Sequence, residues 1–571
     1  MNPIRSLLFA LAAVAAAAGA WSDPVDPHAA PAGRVILPPV AKARPVGGDT
    51  IAPALRNVLD RVAKSDEPSR LSNQFVQIND QGEVQVYVHL HKAGNGLRNE
   101  LAGAGLRLEI LNRDLRIAQA WGTPGALEKV ARLTEVRSIG LPRYARLRAG
   151  SVMSEADHIL HSDWVRERGV DGSGVIVGVI SDGVTNRAMA QATGDLPAAI
   201  DIDPIQRGWG DSGTALLEIV HDIAPGARLA FSGITVSGTS LTFIRALDYL
   251  HNDARCDVIF DDIGFYQEPH FEDGPVAQAV DRAVAAGVFY VSAGGNDGRG
   301  HYQNVYMDAN PTVNGSWPHD LHTFVVGDVT QRVVIPPRCE MYAVLQWGDP
   351  FGASANDYDL FLYDDDLSSA ITWSNAIQDG DDDPYEALYY YNDSASPLPA
   401  NLIISRTSGD TRLLNLFVWG PPELEHYSGA AIFGHPALPS VLSVGSIHLQ
   451  DPGNDTLADT SSQGPAVILY PLAEVRGKPC VVAIDGVRIT GAGGVRSPYF
   501  GTSAAAAHAA GLAALILSAN PTLEPRHVHA RIESTALDLG APGFDYAFGY
   551  GLIQTVEAFA ASAVRRWSLY R

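Results

Sequence analysis

One run constrains this chain more than any other: Tyr499-Phe500-Gly501-Thr502-Ser503-Ala504-Ala505-Ala506-Ala507-His508-Ala509-Ala510-Gly511. A small Gly-Thr-Ser turn leads straight into an Ala-rich apolar helix. Side chains this small let a helix pack against a sheet, so the run predicts a helix buried in an α/β core. The same geometry puts the Ser503 hydroxyl at a helix N-terminus, where the dipole favours developing negative charge. Ser503 is therefore the first candidate nucleophile. The plainer alternative is an incidental N-cap serine.

Such a helix needs a sheet. Val175-Ile176-Val177-Gly178-Val179-Ile180 is a fully apolar strand, followed by a helix over 214–223 and a strand over 229–231. Val258-Ile259-Phe260 is the next strand, then a helix over 276–286 and a strand over 288–291. Apolar strands separated by helices predict a doubly wound parallel sheet, with its site at the carboxyl ends of the strands. This α/β domain occupies 151–318 and 431–571. Between them, 319–430 carries short strand-like runs separated by Asp-, Asn-, Gly- and Ser-rich turns, which predicts an inserted β-sandwich. Residues 51–150 alternate strand and helix patterns and fit an α+β, ferredoxin-like βαββαβ unit. Residues 21–50 are a Pro-, Ala- and Gly-rich linker. Residues 1–20 have a basic Arg5, an apolar run over 7–18 and a small Ala18-Gly19-Ala20 site, the pattern of a secretory signal.

The net charge of −23 over 571 residues repels phosphate backbones, which argues against nucleic-acid binding. No membrane span is expected after signal removal. The three cysteines, Cys256, Cys339 and Cys480, cannot all pair, and no Cys-x-x-Cys is present.

Ser292-Ala293-Gly294-Gly295-Asn296-Asp297-Gly298 follows the 288–291 strand. This segment and the Ser503 run resemble the oxyanion-hole and nucleophile segments of the subtilisin-like serine peptidases, the subtilases. The resemblance covers roughly 155–315 and 430–555. It implies that Ser503 attacks a peptide carbonyl and that Asn296 donates to the oxyanion. It also implies that the 51–150 unit is a propeptide, joined through the basic segment Arg143–Arg148, and that the insert is jelly-roll-like. The family usually has proline where this chain has Ala507.

Two positions depart from the family pattern. Its acid closes the first core strand; here Ser181 takes that register and Asp182 follows one residue later; a one-residue slip turns a side chain to the other face, while a local bulge would let Asp182 serve, so Asp182 and Asp262 are alternative proton handlers. Its base is a His in a His-Gly-Thr helix start; here Asp211-Ser212-Gly213-Thr214 stands there, with the register fixed by Ala224-Pro225-Gly226-Ala227. Serine cannot take a proton as imidazole does. A divergent branch and the sedolisins place Glu at this position, which Ser212 also lacks. His221 and Glu218 point away along the helix; Asp211 can swing in. The best substitute is Asp262 of the Asp261-Asp262-Ile263-Gly264 segment, where burial and a like-charged neighbour raise one pKa. His270 is a weaker candidate. A carboxylate base implies an acidic pH optimum, as in sedolisins.

The expectation is thus a secreted, monomeric serine endopeptidase acting on peptide or protein substrates, with Ser503, Asp182, Ser212, Asn296 and Asp262 at its site. The alternative is a catalytically impaired relative that binds peptides or surfaces. No cofactor is required. The acidic runs Asn356–Asp359, Asp364–Asp366 and Gln378–Asp383 are dense in oxygen ligands suited to structural Ca²⁺.

Overall fold

The computed structural model describes residues 50–140 and 152–559, excepting 52, 65–67, 69–77, 93, 95, 114–115, 235–237, 310–319 and 422. The signal and linker readings at 1–49 and the basic joining segment at 143–148 lie outside the described residues. The chain forms two compact units, within Ser22–Leu147 and Arg148–Arg571.

In the first unit, Val84–Leu90 alternates buried and half-buried residues, so Val84, Val86, Val88 and Leu90 all face one core. It pairs antiparallel with Ile117–Gly122 and Val136–Gly140, and Arg107–Asn112 joins the far edge of Ile117–Gly122. Helices Leu97–Gly103 and Pro124–Val130 bury Leu97, Leu101, Ala126, Leu127 and Val130. Thr123 caps the second helix through the Ala126 N–H. This order is the βαββαβ plan. Ile117–Gly122 has no strong sequence signal because its buried residues, Ala118 and Ala120, have low strand propensity.

The second unit is built on seven parallel strands. Across the sheet they run Val481–Asp485, Leu442–His448, Phe289–Ala293, Val258–Asp261, Ile176–Ser181, Arg228–Gly233 and Asp201–Arg207. From Ile176–Ser181 the chain first builds toward one edge, then returns to Val258–Asp261 and builds toward the other. The topological switch point therefore lies between these two strands. Helix Thr502–Ala519 is apolar and long enough to cross a membrane by composition, yet it is 83% buried inside the unit. It packs on the sheet and on helix Ser212–Ile223. A β-carbon on its Gly511 would lie 2.6 Å from the Ile223 β-carbon, so only a residue without one permits this approach.

Two antiparallel sheets make the inserted sandwich, and Trp347, Tyr358, Leu360, Ile404 and Leu416 meet in its core. Its first strand is His301–Val305, upstream of the all-β sequence signature, because that strand pairs with the distant Leu413–Trp419. His270 lies in an aromatic seam with Phe417 and Phe433, its ring 4.3 Å from that of Phe433. Burial pushes its pKa down to about 3, and Nε2 sits 3.0 Å from the Tyr266 carbonyl. His270 is a structural residue, away from Ser503, and its candidacy as a base ends there.

Most acidic groups of the insert are engaged internally. Asn356 donates to Asp349 (2.6 Å), Asp359 accepts from Thr407 (2.8 Å), and Asp364 accepts from Ser368 and Ser369. Asp379, Asp381 and Asp382 bring one carboxylate oxygen each within 4.8 Å of one another on an exposed turn. Cys256, Cys339 and Cys480 are all free thiols.

Candidate active site

The turn before the central helix is held from three directions. Gly501 adopts φ 98°, in the left-handed region, and a β-carbon there would press within 3.1 Å of the Asn296 amide. Its N–H donates to Asp485 Oδ2 at 2.8 Å, from the end of strand Val481–Asp485. Thr502 donates through both N–H and hydroxyl to Asn296 Oδ1, at 2.9 and 3.1 Å, and accepts from Gly295 N–H at 3.2 Å. These bonds commit the Asn296 oxygen to the turn. The amide N–H groups are left for whatever occupies the cavity that Asn296 and Ser503 both line. Ser503, second in the helix, is half-buried and faces that space.

The acids come from the switch point. Asp182 and Asp262 directly follow the neighbouring strands Ile176–Ser181 and Val258–Asp261, whose register pairs Ile180 with Asp261. Asp262 is half-buried in the lining of the same cavity, and burial raises its pKa to about 7. The Ser181 and Ser503 hydroxyls lie against it and favour its charged form, while the Asp182 and Asp261 charges oppose it. Asp262 Oδ1 and the Ser181 hydroxyl are both buried without a hydrogen bond of regular geometry.

Ser181 is buried and faces Asp262, whereas Asp182 turns to the start of helix Ser212–Ile223. Its Oδ1 accepts from Gly183 N–H (2.5 Å) and Gly213 N–H (3.1 Å). Burial raises its pKa, against these bonds and one from the Ser212 hydroxyl. A β-carbon on Gly210 would sit 2.0 Å from Asp182 Oδ2, so glycine at φ 127° makes room for this carboxylate. Ser212 also reaches the Tyr499 hydroxyl. Ser503, Asp262 and Asn296 thus meet at the cavity, while Asp182 and Ser212 form a linked polar pair beside them.

The other candidates are held elsewhere. Asp211 binds Asn186 and the Thr214 hydroxyl and cannot swing in. Glu218 accepts from Thr490, and His221 is buried with its pKa lowered by burial. Sequence reading gave no role to Tyr499 or Asp485 and took Ser181 only as the occupant of the acid register. Tyr499 carried one available signal, its position four residues before Ser503; the contacts of the other two are placed only by strand pairing.

The cavity encloses about 250 Å³. On one side His435 Nε2 lies 3.0 Å from Asp261 Oδ1 and Nδ1 3.9 Å from Glu268 Oε2. Burial opposes the imidazolium, but these two carboxylates outweigh it and raise its pKa to about 9. On the other side, burial raises Asp297 to about 6 while it accepts from the Tyr266 hydroxyl at 2.7 Å.

The model of the Subtilase family, Peptidase_S8, matches residues 208–551, more than half the chain and the whole span from Ser212 to Ser503. This protein belongs to the subtilase family. Curated relatives match over shorter stretches. Subtilisin of Bacillus pumilus is 33% identical over 126 residues, which are 22% of this chain and 39% of the relative. Subtilisin E of Bacillus subtilis (strain 168) is 35% identical over 127 residues, 22% of this chain and 28% of the relative. Fervidolysin of Fervidobacterium pennivorans is 39% identical over 62 residues, 11% of this chain and 9% of the relative. The chain thus spans well under half the length of each of these relatives. Among solved structures, the Clostridium perfringens CspB protease covers 71% of this chain and 98% of its own, at TM-score 0.49 and 13% identity. Among the described residues that line the cavity with Ser503, the imidazole is that of His435, which is held by Asp261 and Glu268.

Proposed function

We propose that this subtilase is a serine endopeptidase that cleaves peptide bonds through an acyl-enzyme on Ser503, with Asp262 as the proton acceptor. The observation that carries this reading is that Ser503, Asn296 and Asp262 line one cavity, where burial and neighbouring carboxylates raise the Asp262 pKa to about 7. As Ser503 Oγ bonds to the carbonyl carbon, its proton passes to the Asp262 carboxylate. The carbonyl electrons move to oxygen, where the Asn296 amide donates to the oxyanion. Collapse breaks the C–N bond, and Asp262 returns the proton to the leaving amine. Water then repeats the sequence on the ester and frees Ser503. Asp182, Ser212 and Tyr499 hold the flank and keep Asp262 in a negative field.

Asp262 must be ionised to accept the proton, so kcat/KM rises with pH through about 7. A pKa of about 7 places this limb nearer neutrality than the acidic optimum that the sedolisin resemblance implies, and the pH profile decides between them. A carboxyl titration is recognised by its small temperature dependence and by its loss in Asp262→Asn. The secretory-signal pattern and the position of the α+β unit support export as a precursor whose first unit serves as propeptide.

A fluorophosphonate probe tests the activation of Ser503. Covalent labelling that vanishes in Ser503→Ala and falls sharply in Asp262→Asn is the expected result. Unlabelled wild type at pH 8 leaves the second reading, a peptide-binding subtilase without turnover, which Ser212 in the family's base register favours.

A further inference from the structure

Given Ser503 as nucleophile, we propose that the adjoining cavity selects a lysine or arginine side chain on the residue whose carbonyl is attacked, with the Glu268 carboxylate as its receptor. The inference rests on the proposed peptidase reading and names its substrate class. Ser503 and Asn296 fix the attacked carbonyl at the mouth of the cavity, so the side chain of that residue enters the space behind it.

That space holds more acidic than basic side chains among largely apolar walls. Asp262, Glu268 and Asp297 line it, Asp261 stands behind, and His435 is its one cationic side chain. No lysine or arginine is among the described residues of the lining. His435 is shared between two carboxylates, with its closer contact to Asp261. One imidazolium cannot neutralise both, so the Asp261–His435–Glu268 group keeps a net negative charge. Glu268 is 6% exposed, and its Oε1 is buried with no hydrogen-bond partner. A buried carboxylate oxygen left without a donor is costly, and a ligand N–H relieves it. Gly434 keeps the approach open: a β-carbon there would stand 2.9 Å from Glu268 Oε2. The cavity's walls, Phe265, Tyr266 and Phe433, suit the alkyl stem of a long basic side chain, whose charged head then reaches Glu268. An acidic side chain meets the like charge of Glu268, and a leucine leaves Glu268 Oε1 without a donor.

The test is a panel of otherwise identical peptides with Arg, Lys, Leu or Glu at the cleavage position. Turnover is read on the wild-type protein and binding on Ser503→Ala. Arg and Lys peptides are expected to exceed Leu by on the order of 10- to 100-fold in kcat/KM and in affinity, with Glu weakest. In Glu268→Gln the Arg-to-Leu ratio is expected to fall toward unity. Equal or apolar-favouring ratios in the wild type overturn the inference, as does a ratio unchanged by Glu268→Gln. The two proposals fail separately. Selective binding of basic peptides without turnover sinks the peptidase and keeps the pocket, whereas turnover without basic preference does the reverse.

Discussion

The two halves of the site were assembled by different means. The nucleophile half, Gly501 to Ser503 with Asn296, consists of two short runs, each reading as a complete local device: a glycine that permits the turn, a helix start, an amide on a glycine loop. The proton-handling half has no local device. Asp262, Ser181, Asp182, Ser212 and Tyr499 come from four separated segments, and they meet only because Ile176–Ser181 and Val258–Asp261 are neighbours in the sheet. On the proposed mechanism, a divergent subtilase replaces its proton acceptor while the nucleophile turn stays unchanged, because the turn's bonds run to Asn296 and Asp485 and to neither Ser181 nor Ser212.

The sharpest way to break that contrast is to remove one member from each half. Ser503→Ala and Asp262→Asn should each lower kcat by on the order of a thousandfold to a millionfold, and the double variant should be little worse than either. An Asp262→Asn enzyme within tenfold of wild type would sink the carboxylate mechanism. Stability should move the other way for Asp262. Its folded pKa is about 7 against an unfolded value near 3.8, so between these pH values the unfolded chain binds fewer protons and stability falls as pH rises. Asp262→Asn should remove that slope, on the order of 1.4 kcal/mol per pH unit at most, and raise Tm at pH 7 to 8. Thermal unfolding from pH 4 to 8 reads this directly.

Asn296→Ala should cost about 100- to 1,000-fold in kcat with KM little changed, since the amide acts on charge that develops only in the transition state. The smallest effect is expected from Ser212→Ala, less than about tenfold in kcat/KM, because Ser212 supports Asp182 and does not touch Ser503. A loss as large as that of Asp262→Asn would move the proton path to the flank and redraw the comparison.

Sequence periodicity was enough for the parallel strands, whose apolar runs admit little else, and for the central helix, whose alanines demand close packing on a sheet. It also singled out Ser503 and Asn296, each carried by a short run of backbone, and the structure puts both on one cavity. It missed Ile117–Gly122, where small alanines carry the buried face, and the start of the sandwich at His301, where a strand is defined by its distant partner. What it left open was the state of Asp262. Whether a carboxyl is an ordinary strand-end cap or a base titrating near neutrality depends on which hydroxyls, carboxylates and apolar walls surround it in space. Dielectric screening and charge act over a few ångströms of distance, not a few residues of chain, so that choice belonged to the tertiary structure alone.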